Sequence, residues 1–199
     1  MENTNRPYGI IIGGVGGQGT ITLAKMILTA AWKSGYNVMQ SEVHGMSQRG
    51  GSVNAHILVD TKPVSSPVVM EGAGDLLIGL EPLETLRYLE LLKRDATIIT
   101  STIPIKNMQN YPDSETIINE LNNIAVLIDT DKYNKELNNK RAGNIILLGI
   151  ASLSLPISTE VWNEVFREKF ETKDYPVLEK SINAFYFGRE LFANGFNRN

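Results

Sequence analysis

The chain has 199 residues, of which 42% are hydrophobic and 21% are charged, a composition typical of a folded globular domain. It contains no cysteine, which excludes disulfides, thiolate zinc sites, cysteine-ligated iron–sulfur clusters and cysteine nucleophiles within this sequence. The sequence has 19 basic and 22 acidic residues, which gives a net charge of −3. It therefore lacks the excess of basic residues that is typical of a nucleic-acid-binding protein. We expect no nucleic-acid partner, no membrane segment and no signal peptide, and therefore a cytoplasmic protein.

The first forty residues predict a strand, a glycine turn, a helix and a second strand. A short β-branched run at residues 8–12 predicts a buried strand that ends in the glycine-rich segment 13–19. Apolar residues then recur at three- and four-residue spacing from Thr20 up to Gly35, which predicts a helix. Residues 36–40 predict the second strand.

The rest of the chain continues the alternation of strands and helices. Residues 41–52 are polar, glycine-containing and irregular, and are interpreted as a loop. Alternating residues 53–59 predict a strand, followed by a turn at 60–63 and a hairpin return that begins at Val64. Further strands are predicted at 75–80, 97–102 and 125–128, and further helices at 82–92, 114–121, 131–138, 142–153, 159–170 and 176–193. We predict a single α/β domain over residues 1–199, with three α/β/α layers and a Rossmann-like, mostly parallel mixed sheet that includes an antiparallel strand and is followed by C-terminal helices.

The glycine turn has the spacing of a dinucleotide-binding fingerprint. Its glycines follow a predicted strand and open a predicted helix, where backbone N–H groups and the positive helix end can receive a phosphate. Glu42 lies close to the position at which an acidic side chain would bind a ribose hydroxyl. The candidate ligand-contacting residues of the turn are Gly14, Gly16, Gly17, Gln18 and Gly19. A second interpretation stays open, in which the glycines only allow close helix packing and Gln18 binds a loop or partner backbone.

The polar loop supplies a second set of candidates. Arg49 lies beside two glycines and could offer its guanidinium to a carboxylate or phosphate. His44 titrates near neutrality and could donate a hydrogen bond or move a proton. Each could equally be an ordinary surface residue, and His56, inside a predicted strand, is expected to be structural. We find no pair of Asp or Glu residues suited to acid–base catalysis, no Ser-His-Asp arrangement and no metal-ligand spacing.

The two motifs together resemble a known family. The glycine-turn sequence GVGGQG and the loop sequence SEVHGMSQRGGSV are similar to those of the gamma-type domain of the 2-oxoacid:ferredoxin oxidoreductases. The His-Gly-Met lead of the loop resembles the beta subunit of the indolepyruvate type within that family. The resemblance extends over nearly the whole chain, with weaker matches at Ser66-Pro67 and Gly143-Asn144.

The resemblance implies a smaller subunit, inactive alone, of an enzyme that converts a 2-oxoacid and coenzyme A to acyl-CoA and carbon dioxide while reducing ferredoxin. For the indolepyruvate type it implies aryl pyruvate substrates from amino-acid catabolism. Thiamine diphosphate with Mg²⁺ and the 4Fe-4S clusters are then expected on the large partner subunit, and no cofactor is expected to be held firmly by this chain. Arg49, and after it His44 and Glu42, are the candidate anion contacts at the subunit interface.

The sequence is also compatible with two other hypotheses. The chain could be a stand-alone NAD(P)-binding protein that acts through its glycine turn and Glu42. It could also be an interaction module whose apolar helix at residues 142–153 docks a partner, since that helix is apolar nearly all round and must be buried or lie at an interface.

Overall fold

The computed structural model describes residues 6–44, 50–171 and 175–195. Its strands are β1 (Tyr8–Val15), β2 (Asn37–His44), β3 (Ser52–Asp60), β4 (Gly74–Gly79), β5 (Leu92–Ser101) and β6 (Val126–Ile128). Its helices are α1 (Thr20–Lys33), α2 (Pro82–Arg87), α3 (Ser114–Asn122), α4 (Thr130–Glu136), α5 (Ala142–Ser152), α6 (Thr159–Phe170) and α7 (Tyr175–Gly195). A short 3₁₀ helix, Leu89–Leu91, connects α2 to β5. None of the helices in these ranges is long and apolar enough to cross a membrane.

The strands form one mixed sheet in the order β2-β3-β1-β4-β5-β6. Strand β3 is antiparallel to both of its neighbours, and β1, β4, β5 and β6 are parallel. The predicted α/β fold with a mostly parallel sheet and C-terminal helices is therefore confirmed. The predicted hairpin return at Val64 is wrong, because β1 and β2 already occupy both edges of β3 and leave no edge for a strand after it.

Strands β1 and β2 extend beyond the carboxyl ends that the sequence pattern predicts. Strand β1 continues past Ile12 to Val15, because Gly13 and Gly14 pair in continuous register with β3. A Cβ on Gly13 would lie 2.7 Å from the ring of Tyr88. Strand β2 takes in Ser41–His44, which were assigned to the loop, because these residues pair in continuous register with β3. Tertiary pairing, rather than local propensity, sets both ends.

The helix predicted over residues 82–92 is also shorter than expected. It ends at Arg87, and Leu92 already belongs to β5, where it pairs with Gly74 of β4. A Cβ on Gly74 would lie 2.9 Å from the Leu92 side chain, so the missing side chain lets the two strands approach.

The two faces of the sheet carry unequal layers. Ile10 and Ile12 of β1 pack into the main core together with helices α1, α5, α6 and α7. Ile11 packs on the opposite face in a smaller cluster with Leu58, Leu77 and other residues. Helix α5 lies inside the main core, with ten of its 11 residues buried. Its apolar surface is therefore covered within the chain, and it is not a docking helix for a partner.

Candidate functional site

The carboxyl ends of the parallel strands open into a cleft of about 540 Å³. In open parallel sheets this edge is where ligands bind, because the strands end there and their connecting loops converge. The cleft is lined by the glycine turn after β1, the ends of β4 and β5, and the first residues of α4 and α5. The exposed cations Lys140 and Arg141 and the exposed carboxylate of Asp131 lie in its wall. The cleft therefore carries charges of both signs with a cationic excess.

The glycine turn has the backbone conformation that its glycines allow. Gly17 and Gly19 have φ values of 99° and 98°, in the left-handed region that other residues adopt only with strain. Gly19 is the N-cap of α1 and has no side chain to satisfy the first helical N–H groups. Gly14 has a different role, because a Cβ there would lie 2.9 Å from the Thr20 hydroxyl. The turn thus combines close packing with an open helix N-terminus.

Gln18 binds backbone groups on both sides of the turn. Its side-chain oxygen accepts a 2.7 Å hydrogen bond from the Val15 N–H, and its Nε2 donates a 2.8 Å hydrogen bond to the Leu80 carbonyl after β4. Asn144 of α5 donates through Nδ2 to the backbone carbonyl of Gln18. The Gln18 amide is thereby occupied in holding the turn to the end of β4, as the loop-anchoring interpretation expected.

The buried hydroxyl of Thr20 lies directly under the turn. Its Oγ1 has no hydrogen-bond partner among the described residues, although the residue is only 2% exposed. Thr20 also lines a second hollow of about 400 Å³, shared with Gly16, Gly17 and Val53. A buried hydroxyl without a partner is uncommon in folded proteins, so this one is available to a group that enters the hollow.

The last residues of the polar loop are held by contacts from three directions. The Gly51 carbonyl accepts a 2.8 Å hydrogen bond from the Gly16 N–H of the glycine turn. The Gly50 carbonyl accepts a 2.6 Å hydrogen bond from Nδ2 of Asn107, in the connection after β5. Ser52 donates a 2.5 Å hydrogen bond to Oε2 of the buried Glu84 in α2. The carboxyl end of the loop is thereby fixed next to the glycine turn.

Glu84 is the centre of a buried polar network that the sequence does not reveal. The residue is only 2% exposed, and its Oε1 lies 3.3 Å from Nε of Arg87. The Tyr88 hydroxyl lies 2.9 Å from Ser52 Oγ and accepts a 3.0 Å hydrogen bond from Nδ2 of Asn54. The network therefore connects α2 to the amino end of β3, where the polar loop ends.

A second buried carboxylate, Glu81, holds the connection after β5. Its Oε2 caps α2 by accepting a 2.8 Å hydrogen bond from the Glu84 N–H. Its Oε1 accepts hydrogen bonds from the Ile105 N–H and the Tyr111 hydroxyl. Burial and the nearby Glu81 carboxylate raise the pKa of Tyr111 above its ordinary value. Glu81 and Glu84 are both buried, and both hold segments that surround the cleft, a structural role that the sequence does not reveal.

The predicted candidates do not all lie together. Glu42 is inside β2, opposite Ala55, and Ala55 pairs in turn with Ile12 of β1. Glu42 is therefore level with the middle of β1, and β3 lies between the two. Its Oε1 accepts a 2.5 Å hydrogen bond from the Gln40 side chain. In a dinucleotide site the second strand lies directly beside the first, so this position does not suit a ribose contact. The stand-alone NAD(P) hypothesis is not supported.

The other loop candidates are only partly described. His44 is the last residue of β2, and its backbone pairs with Val53. Arg49 lies outside the described residues, although its neighbour Gly50 is held beside the cleft by Asn107. Asp131 and Asn134 of α4 also contribute to the cleft wall.

His56 is structural, as expected. It is 7% exposed, and its Nδ1 accepts a 3.2 Å hydrogen bond from the Val69 N–H, which ties the segment after β3 to the sheet. Burial lowers the pKa of His56 below its ordinary value of 6.5. The neutral ring is therefore the form that the fold favours.

Comparison with known proteins identifies the family. The family model described as pyruvate ferredoxin/flavodoxin oxidoreductase matches residues 9–191. The chain belongs to this family. It is 36% identical over 190 residues to the indolepyruvate oxidoreductase subunit IorB of Pyrococcus horikoshii, a match that covers 89% of this chain and 94% of the relative. It is 32% identical over 197 residues to the protein of the same name from Archaeoglobus fulgidus, covering 94% and 96% of the two chains.

A solved structure of a larger family member shares the fold. The 2-oxoglutarate:ferredoxin oxidoreductase from Magnetococcus marinus, with 2-oxoglutarate, coenzyme A and succinyl-CoA bound, superposes with a TM-score of 0.76 at 20% identity. The match covers 98% of this chain and only 32% of that one. This chain therefore shares the fold of a segment about one third the length of that longer polypeptide.

Proposed function

We propose that this chain is the small subunit of a 2-oxoacid:ferredoxin oxidoreductase that acts on an aryl pyruvate. The observation that carries the proposal is the nearly full-length match to two subunits named for indolepyruvate oxidoreductase. The expected reaction converts the 2-oxoacid and coenzyme A to acyl-CoA and carbon dioxide, with two electrons passed to ferredoxin. The larger subunit of the same enzyme is the expected partner.

The chemistry of this chain supports a division of labour. The sequence contains no cysteine, so its side chains do not fit an iron–sulfur cluster held by thiolates. Among the described residues, no group of three His, Asp or Glu side chains is placed to hold a metal ion. Neither an electron-transfer step nor a thiamine-dependent step is therefore assigned to this chain, and the cluster-bearing, thiamine-binding subunit is expected to be its partner.

This chain is expected to bind the partner through the surface at the carboxyl ends of its own parallel strands. The glycine turn and the end of the polar loop form one surface, because the Gly16 N–H is hydrogen bonded to the Gly51 carbonyl. The open N-terminus of α1 and the exposed cations Lys140 and Arg141 favour an anionic ligand in the adjoining cleft. Coenzyme A carries phosphates of that charge, and we place its path along this cleft.

Arg49 is the residue proposed to contact an anion at the interface. The carbonyl groups of its neighbours Gly50 and Gly51 accept hydrogen bonds from the Asn107 side chain and from the Gly16 N–H of the glycine turn. A guanidinium beside glycines is accessible to a carboxylate or phosphate from a bound substrate. His44, at the end of β2, is a weaker candidate for the same role.

The proposal is tested by coexpressing the chain with the cysteine-rich, thiamine-binding subunit from the same organism. We expect the two to copurify and to reduce ferredoxin only in the presence of an aryl pyruvate and coenzyme A. The Arg49→Ala variant is expected to raise the KM for the acid or for coenzyme A, whereas Arg94→Ala, at an exposed position of β5, should leave both unchanged. Failure to copurify, or saturable NAD(P) binding by this chain alone, would contradict the proposal.

A further inference from the structure

The two edges of the sheet differ in how they are protected. Strand β6 at one edge has only three residues, a length that limits pairing with another chain. Strand β2 at the other edge has eight residues and is hydrogen bonded on one side to β3. Proteins usually block such an edge with lysine, proline or a bulge. Strand β2 contains neither residue, and its register with β3 is uninterrupted.

Strand β2 also presents apolar side chains to solvent. Met39 is 37% exposed and Val43 is 56% exposed. They lie on the same face of the strand because side chains alternate, and Met39 is opposite Leu58, a member of the smaller core cluster. The exposed side chains thus extend the apolar surface of that face to the edge of the sheet.

Symmetry restricts how two copies of β2 could pair. In an antiparallel pair, residues that face each other both direct their hydrogen-bonding groups either toward the partner strand or away from it. In a symmetric pair, the two-fold axis must therefore pass between two copies of the same residue. Each choice of that central residue defines a different register, in which different side chains face each other.

The chemistry of the strand selects one of these registers. A pair centred on Glu42 brings two carboxylates face to face, which is unfavourable. A pair centred on Gln40 places Val43 opposite Asn37 and Glu42 opposite Val38. A pair centred on Ser41 places Met39 opposite Val43 on one face, and Gln40 opposite Glu42 on the other. Of these three registers, only the one centred on Ser41 joins both apolar with apolar and amide with carboxylate.

We propose that β2 pairs with β2 of a second copy of this chain, in antiparallel register about Ser41, so that two six-stranded sheets join into one. The contact is isologous, and it covers Met39 and Val43 of both copies. It lies at the β2 edge of the sheet, whereas the cleft lies beyond the carboxyl ends of β1, β4 and β5. The centre of the dimer contact at Ser41 therefore lies away from the cleft, and β2 adjoins the proposed interface with the large subunit only at its last residue, His44.

The absence of cysteine makes a cross-linking test direct. Facing Cα atoms of an antiparallel pair are about 4.5–5.5 Å apart, within the range that a disulfide spans. The full-length Ser41→Cys variant is expected to form a disulfide-linked dimer under mild oxidation. The matched variant Ser65→Cys, at an exposed position after β3, is expected to remain monomeric on a non-reducing gel. Equal cross-linking of both variants, or of neither, would overturn the proposal.

A charge test checks the register independently. The double variant Met39→Lys, Val43→Lys places lysine opposite lysine in the Ser41 register and is expected to weaken the dimer by roughly tenfold or more. The matched variant Met39→Lys, Val43→Glu places opposite charges together and should restore dimerisation. Both positions are exposed, and circular dichroism checks that both variants fold.

Sedimentation equilibrium over a concentration series measures both dissociation constants. A chain that stays monomeric at every concentration contradicts the proposal, as do equal dissociation constants for the two charge variants. If the chain is monomeric and the lysine variant loses the large subunit instead, the strand binds that subunit and self-pairing is wrong.

Discussion

Ser52 donates a 2.5 Å hydrogen bond to Oε2 of Glu84, and this bond joins the end of the polar loop to a buried carboxylate of α2. Glu84 is almost fully buried, so each donor to it offsets part of the cost of removing a carboxylate from water. The neighbouring Tyr88 hydroxyl is shared between Ser52 and Asn54. The position of the loop therefore depends on a network that lies beneath it.

Replacing Ser52 with alanine is expected to destabilise the protein by about 1–3 kcal/mol, because the buried Glu84 loses a donor that water does not replace. The free energy of unfolding from urea titration measures the effect. Ser65→Ala, at an exposed position, is the control and should change stability little. Equal stability of the two variants would show that the network does not hold the loop.

Gln18→Glu tests the anchor of the glycine turn. One carboxylate oxygen can still accept from the Val15 N–H, but the other then faces the Leu80 carbonyl, to which Gln18 donates. Two facing acceptors are expected to lower the free energy of unfolding by about 1–3 kcal/mol at neutral pH. Gln109→Glu, at an exposed position, makes the same chemical change and should have little effect. A stable Gln18→Glu protein would mean that the turn is held by other contacts.

The contact between α5 and α7 depends on two glycines. A Cβ on Gly149 would lie 2.2 Å from the Phe185 carbonyl oxygen, and one on Gly188 would lie 2.4 Å from the Ile146 carbonyl oxygen. Gly149→Ala must push the helices apart and is expected to lower the free energy of unfolding by about 1–3 kcal/mol or more. Thermal denaturation checks this, with Glu190→Ala on the exposed side of α7 as the tolerated substitution. Unchanged melting of Gly149→Ala would contradict this packing.

His56 makes stability depend on pH in a defined direction. Burial lowers the pKa of His56 in the folded protein below the unfolded-state value of about 6.5. At pH values between these two pKa values, the unfolded chain binds more protons than the folded protein. The contribution of His56 to stability is therefore full above about pH 6.5 and decreases as the pH falls through that window. His56→Asn keeps an acceptor for the Val69 N–H without titrating, and should flatten the profile there. Identical profiles for both proteins would exclude this role.

Much of the fold follows from local pattern. The helices at 159–170 and 142–153 were predicted within one residue of their observed ends, because the Ser158 cap of α6 and the continuous apolar run of α5 both lie in the local sequence. The ends of β1 and β2 were not, because Gly13 and Gly14 of β1 and residues 41–44 of β2 are drawn into the sheet by β3. Contacts between distant segments leave no periodic signal in either segment.

The candidate site was predicted only in part, because local motifs can be recognised in the sequence and contacts between distant segments cannot. The glycine turn is a local motif, and its strand-to-helix context could be read directly. Glu81 and Glu84 look like ordinary acidic residues at a helix start, and only the fold brings Ser52, Ile105 and Tyr111 to them. The distance of Glu42 from the turn depends on β3 lying between β1 and β2, an order that spacing along the chain does not reveal.

We propose that this chain completes a 2-oxoacid:ferredoxin oxidoreductase. The most direct measurement is ferredoxin reduction by the purified large subunit, with and without this chain, using an aryl pyruvate, pyruvate or 2-oxoglutarate together with coenzyme A. We predict reduction only when both chains are present, with the highest kcat/KM for the aryl pyruvate. Full activity of the large subunit without this chain would contradict that role.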